Sequence, residues 1–233
     1  MKQEVGKWNE YVIRAANLTV GYSGYPHVLS QIDFPWEGPG IHLIIGENGS
    51  GKSTLIRTLA GLQKPRGGTV FWGNEVVAQI SSTQRTAKMA FVQSLPPRQS
   101  ELTVLEALAL SGCKEECINH WLHTFDLLDT ITKSLCDLSD GMGQRVMLVR
   151  AILQDTPWIL LDEPTAFLDV KSRQVMWAQL SALVSKGKHI MVSSHDYHLL
   201  EGNSDLRSVT AIRENRLHSL NPVGTFADWN AHI

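Results

Sequence analysis

Apolar residues along this chain fall into short runs and helical stripes that alternate. Tyr11 to Val20 is rich in β-branched and aromatic residues, and Ile41 to Ile45 is an apolar run that stops at Gly46; both predict strands. Behind the glycines, Leu55, Ile56, Leu59 and Leu62 recur at helical spacing, which predicts a helix over 53–62 stopped by Gly61 to Pro65. Thr69 to Trp72 and Met89 to Val92 predict two further short strands, the first followed by the turn residues Gly73 and Asn74. From Leu102 to Leu138 the pattern turns helical: Thr103 is placed to cap a helix over 104–110, and a second amphipathic segment runs from about Ile118 to Leu128. Then come a helix over 144–154, a strand over 158–161, a helix over 172–184 and a strand over 189–193. Last comes a hairpin, Ser208 to Ile212 and Arg216 to Leu220, joined through Glu214 and Asn215. Alternating helices and strands predict an α/β fold on a mainly parallel sheet, with a helical module near 95–145 embedded in a single domain over 1–233.

Composition narrows the picture. A chain of 233 residues fits one domain. Lys and Arg number 21 against 23 Asp and Glu, a net charge of −2, so the basic excess of a nucleic-acid binder is absent and no nucleic-acid partner is expected. With 43% hydrophobic and 19% charged residues the chain can bury a sizeable core, and disorder is excluded as its main state. The longest apolar runs fall far short of the ~20 residues that cross a bilayer. Met1 to Glu10 mixes Lys2, Glu4, Lys7 and Glu10 with Trp8 and lacks the apolar core of a signal peptide. Three cysteines suit reduced thiols better than a disulfide framework, which points to the cytoplasm.

Chemistry concentrates at strand ends. Gly46-Glu47-Asn48-Gly49-Ser50-Gly51-Lys52-Ser53 is a complete phosphate-binding loop between a predicted strand and a predicted helix, continued by Thr54. Its glycines let backbone N–H groups and a helix N-terminus point at an anion, Lys52 reaches the outer phosphates, and the Ser53 hydroxyl can ligate Mg²⁺. Trp158-Ile159-Leu160-Leu161-Asp162-Glu163 is an apolar strand ending in two carboxylates, where a nucleotide site at the carboxyl edge of a parallel sheet needs them. Asp162 is the candidate Mg²⁺ ligand and Glu163 the candidate base for the attacking water.

At this point the chain resembles the nucleotide-binding subunits of ATP-binding cassette (ABC) transporters, over roughly residues 10–220. Gln93, after Ala90-Phe91-Val92, matches the family's Q-loop glutamine, which touches Mg²⁺ and water and couples to the membrane subunits. Leu138-Ser139-Asp140-Gly141-Met142-Gly143-Gln144-Arg145 matches the signature motif, and Ala166-Phe167-Leu168-Asp169 the D-loop. His195 matches the switch histidine, and Tyr22 looks like the aromatic that stacks on adenine, with Tyr25 its nearest rival. The resemblance implies a P-loop ATPase with an N-terminal antiparallel β portion, two copies of which sandwich ATP and Mg²⁺. In that arrangement Lys52, Glu163, His195 and Gln93 of one copy face Ser139, Asp140, Gly141 and Met142 of the other. Its partners would be transmembrane permease subunits, with a substrate-binding protein reached through them, at the cytoplasmic face of the membrane.

The signature departs from the family's usual Leu-Ser-Gly-Gly-Gln. Asp140 suits the dipole at a helix N-terminus but opposes a phosphate if it points inward, and Met142 removes an amide; slower hydrolysis or weaker closure is the implied consequence. Leu-Ser-Asp-Gly resembles the variant of importers for iron chelates, haem and cobalamin. So do the Leu102-Thr103-Val104 opening of the helical module and Pro164 to Asp169. Two alternatives stay open: the ATPase of an exporter, and a subunit with weakened hydrolysis that acts as a binding switch. Cys113, Cys117, His120 and His123 carry a spacing that fits no standard zinc site, and the Asn17 and Asn48 glycosylation patterns are read as chance.

Overall fold

The computed structural model describes residues 11–22, 24–195 and 200–232. The Met1 to Glu10 reading lies outside these residues. Strands β1 (Ile13–Tyr22) and β2 (Tyr25–Trp36) pair antiparallel, and β4 (Gly67–Trp72) and β5 (Glu75–Val76) complete a four-stranded sheet in the order β2-β1-β4-β5. The second sheet has six strands in the order β10-β9-β3-β8-β7-β6, with β3 (Gly40–Gly46), β6 (Met89–Val92), β7 (Trp158–Asp162), β8 (His189–Ser193) and β9 (Leu206–Arg213) parallel. Only β10 (Arg216–Leu220) runs antiparallel, at the edge.

The apolar runs are continuous because the central strands are covered on both faces. Side chains alternate across a strand. Ile41, Leu43, Ile45, Ile159, Leu161, Ile190 and Val192 therefore enter one core with the helical module and α6 (Val170–Val184). Ile44, Trp158, Leu160 and Met191 enter the other, with α1 (Lys52–Leu59) and the antiparallel sheet. Two histidines sit near the start of this sheet: His42 Nε2 lies 3.0 Å and His189 Nδ1 2.9 Å from the Gly38 carbonyl, and Trp158 stacks 4.7 Å from His189. Burial pushes both histidines down to a pKa of about 4, so they are neutral.

Strand β2 and one short helix were not predicted, and one predicted helix starts earlier than expected. Prolines at 26 and 35 break the strand pattern of β2, and they are tolerated because β2 lies at a sheet edge. Helix α2 (Ser82–Lys88) escaped because none of its residues is buried, leaving no apolar stripe; a capping box between Ser81 and Gln84 starts it. The helix predicted over 144–154 is α5 (Asp140–Leu153), which begins four positions earlier because the Ser139 hydroxyl accepts from the Met142 N–H. In the helical module, α3 (Val104–Ala109) starts at the capping box of Thr103 and Glu106. The second helix there, α4 (Glu115–Thr124), ends before Asp126, whose φ of 55° lies in the left-handed region. A short α7 (Phe226–Asn230) closes the described chain.

Candidate nucleotide site

Strand β3 delivers the phosphate loop. It ends at Gly46, and the exposed loop 47–49 turns back so that α1 begins at Lys52. Gly51 makes that start possible: its φ is 105°, and a Cβ there would lie 2.6 Å from Val28 Cγ1 of β2. No side chain caps α1, and its first backbone bond runs from the Leu55 N–H to the Gly51 carbonyl. The N–H groups of Lys52, Ser53 and Thr54 therefore have no acceptor within the helix and face the loop, the electrostatics an anion requires.

Three neighbouring strand ends supply the side chains. Lys52 is 5% exposed, and its ammonium donates to the Gly46 carbonyl at 2.8 Å and the Glu47 carbonyl at 3.1 Å and pairs with Glu163 Oε1 at 3.2 Å. Glu163 follows β7 with φ 48°, a strained conformation for a residue with a Cβ. Its N–H is held by both the carbonyl and the hydroxyl of Ser193, at 3.1 and 3.0 Å. That bend turns the carboxylate between Lys52 and His195, whose Nδ1 lies 2.9 Å from Glu163 Oε2. A carboxylate only accepts, so Nδ1 carries the hydrogen.

Asp162 is fully buried, and its Oδ1 accepts from the hydroxyls of Ser53 at 2.7 Å and Ser193 at 2.9 Å. Oδ2 has no hydrogen-bond partner among the described residues; Arg57 stands 3.6 Å away. A buried carboxylate oxygen without a donor is expensive. An oxygen set of Ser53 hydroxyl and Asp162 carboxylate is the chemistry Mg²⁺ prefers, so these residues fit that ion.

Tyr22, Asn48, Gly49, Gly51, Lys52, Ser53, Thr54, Glu163 and His195 line one cavity of about 490 Å³, together with Val28, Ser94, Leu95, Ala166 and Phe167. Tyr22 is 45% exposed and its hydroxyl lies 3.0 Å from that of Thr54. Gly46, Glu47 and Ser50 shape the loop behind the lining. Gln93 is not brought in: its side chain is exposed, it lines a separate groove over residues 93–100, and its segment reaches the cavity through Ser94 and Leu95. Asp169 is exposed and caps α6, accepting from the Ser172 N–H at 2.7 Å, which holds its carboxyl below the usual range. Ser139, Asp140, Gly141 and Met142 also stand outside the lining, on the first turn of α5. Gly141 touches the D-loop: a Cβ there would lie 2.6 Å from the Phe167 carbonyl oxygen.

Sequence reading missed Ser193, Arg57 and Val28. Ser193 pairs in register with Asp162 across the parallel ladder, and Arg57 lies one helical turn beyond Ser53, so strand register and helix spacing carried the signal for both. Val28 could not be found without β2. Among the described residues no group of three or more His, Cys, Asp or Glu is placed to hold a metal ion.

Comparison with known proteins decides the family. Residues 29–166 match the sequence model of the ABC transporter family. The chain belongs to that family. It is 30% identical over 200 residues to the probable siderophore transport system ATP-binding protein YusV of Bacillus subtilis, covering 80% of this chain and 72% of that one. To the Nod factor export ATP-binding protein I of Rhizobium meliloti it is 31% identical over 193 residues, covering 78% of this chain and 56% of the relative. A solved ATP-binding subunit of an ABC transporter superimposes with a TM-score of 0.80 at 27% identity, covering 94% of this chain and 92% of the other. The α/β sheet described above is thus the ABC ATPase fold, and the chain is an ATPase of the ABC class.

Proposed function

We propose that this ABC transporter ATP-binding subunit hydrolyses ATP in a sandwich of two copies and powers an importer of iron-siderophore, haem or cobalamin-type substrates. One observation carries the catalytic reading: Lys52, Glu163 and His195 converge in the cavity beside the Ser53 and Asp162 pair. The loop N–H groups and Lys52 would bind the phosphates, and Tyr22 would stack on adenine. Glu163, fixed by Ser193 and aimed past Lys52, would accept the proton of the attacking water, and His195 would hold that carboxylate and stabilise developing charge. Ser53 and Asp162 would hold Mg²⁺, whose charge would offset that of the phosphate oxygens. The other face of the triphosphate would be met by Ser139 and Gly141 of the second copy, with Asp169 beside them.

The importer assignment is supported by the siderophore-system relative and by Leu138-Ser139-Asp140-Gly141. The Nod factor export relative, at similar identity, supports an exporter instead. Among the described residues no helix is long and apolar enough to cross a membrane. In either direction this chain would work with transmembrane permease subunits at the cytoplasmic face. Two measurements test the proposal. Mg²⁺-dependent phosphate release per chain should rise with protein concentration and vanish in Glu163→Gln; concentration-independent turnover would overturn the sandwich. Cells lacking the chain should lose uptake of a labelled ferric siderophore, haem or cobalamin; retained uptake of all three with lost efflux of another solute would make it an exporter.

A further inference from the structure

Asp140 opens α5 beside the Ser139 cap, on the surface that the proposed sandwich turns toward the triphosphate held by a second copy. The inference below rests on that reading. A carboxylate and a triphosphate carry the same sign, and at a few ångströms their repulsion opposes closure. The fold supplies a countercharge from a distant segment. Arg98 Nε donates to Asp140 Oδ1 at 2.9 Å and its terminal nitrogen to Oδ2 at 2.6 Å, a two-pronged guanidinium–carboxylate pair. Two other contacts seat the same loop on the same helix. A Cβ on Gly143 would lie 2.9 Å from Pro96 Cβ, so only glycine lets the loop approach this closely, and the Gln144 side-chain amide donates to the Gln93 carbonyl at 3.3 Å. Residues 93–98 are thus fastened along the start of α5 at three points, the outermost of which is the ion pair.

We propose that Arg98 is a positioning residue: it neutralises Asp140 and holds the carboxylate against the 93–98 loop, so that an acidic signature stays compatible with ATP bound by a second copy. Asp140 then retains its favourable place at the N-terminal end of the helix dipole without presenting net charge to the phosphates. Lysine cannot replace this function fully, because a point charge makes one of the two bonds.

The test is ATP-dependent dimerisation of full-length chains in a Glu163→Gln background with Mg²⁺, followed by sedimentation velocity. Arg98→Ala and Arg98→Gln should each weaken dimerisation by about fivefold per site, and thus by roughly 25-fold for the two sites of a sandwich. Arg98→Lys should fall between. Adding Asp140→Asn to Arg98→Ala should restore dimerisation to within about threefold of the parent, a rescue that a purely structural arginine would not show. Equal loss in the single and double variants, or no loss in either single variant, overturns the role of Arg98 and leaves the sandwich intact. A parent that stays monomeric at saturating ATP overturns the sandwich, and this inference with it.

Discussion

The phosphate-loop region and the signature region of this chain are built in opposite ways. Around Lys52 and Asp162, buried and half-buried groups are joined over 2.7–3.2 Å, Asp162 Oδ2 excepted, and the N–H of the strained Glu163 is held by both the carbonyl and the hydroxyl of Ser193. Around Ser139 and Asp140 the polar groups are exposed or half-exposed, and their bonds are a helix cap and an ion pair with Arg98, itself 63% exposed. Low dielectric makes each bond of the first region costly to lose, whereas the second is bathed in water and its bonds are individually weak. In the proposed sandwich, a pre-organised half would do the chemistry and a lightly held half would meet the second copy, and the two constructions suit those two roles.

The largest expected effect tests the rigid half directly. Lys52→Ala should reduce ATP affinity by at least about tenfold and turnover by ~10²–10³-fold, read by a fluorescent ATP analogue and by phosphate release. Glu163→Gln should separate chemistry from binding, keeping the nucleotide while cutting turnover by ~10²-fold or more; an unchanged rate would remove Glu163 from the role of base. Ser193→Ala takes a donor from Asp162 and an acceptor from the Glu163 N–H, and should cost about 1–3 kcal/mol of stability and lower turnover in parallel. A calorimetric scan and a rate measurement on the same sample check both.

A pH experiment sharpens the contrast from outside the cavity. His42 and His189 are held neutral with pKa values of about 4, below the 6.5 of an unfolded chain, so between pH 6.5 and 4 the unfolded state binds more protons. Stability from this source is present above pH 6.5 and is lost as pH falls toward 4. The melting temperature should therefore drop across that window, and His42→Gln should flatten the slope while lowering stability at pH 7. The smallest effect is expected at the cavity rim: Tyr22→Ala should raise KM for ATP about three- to tenfold with little change in kcat, because an exposed ring contributes binding that is equal in ground and transition states.

How much of this was legible in sequence follows how local each interaction is. The loop Gly46 to Ser53 and the strand ending in Asp162 and Glu163 are contiguous, and their glycine conformations and apolar run are properties of a few successive residues. The strand β8 and its terminal Ser193 were legible, but the bonds of Ser193 to the Asp162 and Glu163 pair required knowing that β7 and β8 pair in register. Gln93 shows the converse. Its motif matched a known pattern, yet its side chain stands outside the cavity, and its loop is seated on α5 through Pro96 and Arg98.

The amino-acid order by itself determined the alternation of strands and helices, the phosphate loop and the family. Those depend on side-chain period and backbone freedom over short windows. Tertiary structure alone decided that Asp162 would be buried with one oxygen lacking a hydrogen bond, that β2 would bring Val28 against Gly51, and that Arg98 would reach Asp140 across 42 positions. Such pairings depend on strand register and loop seating, which are set by packing the whole core and leave no periodic trace in the chain.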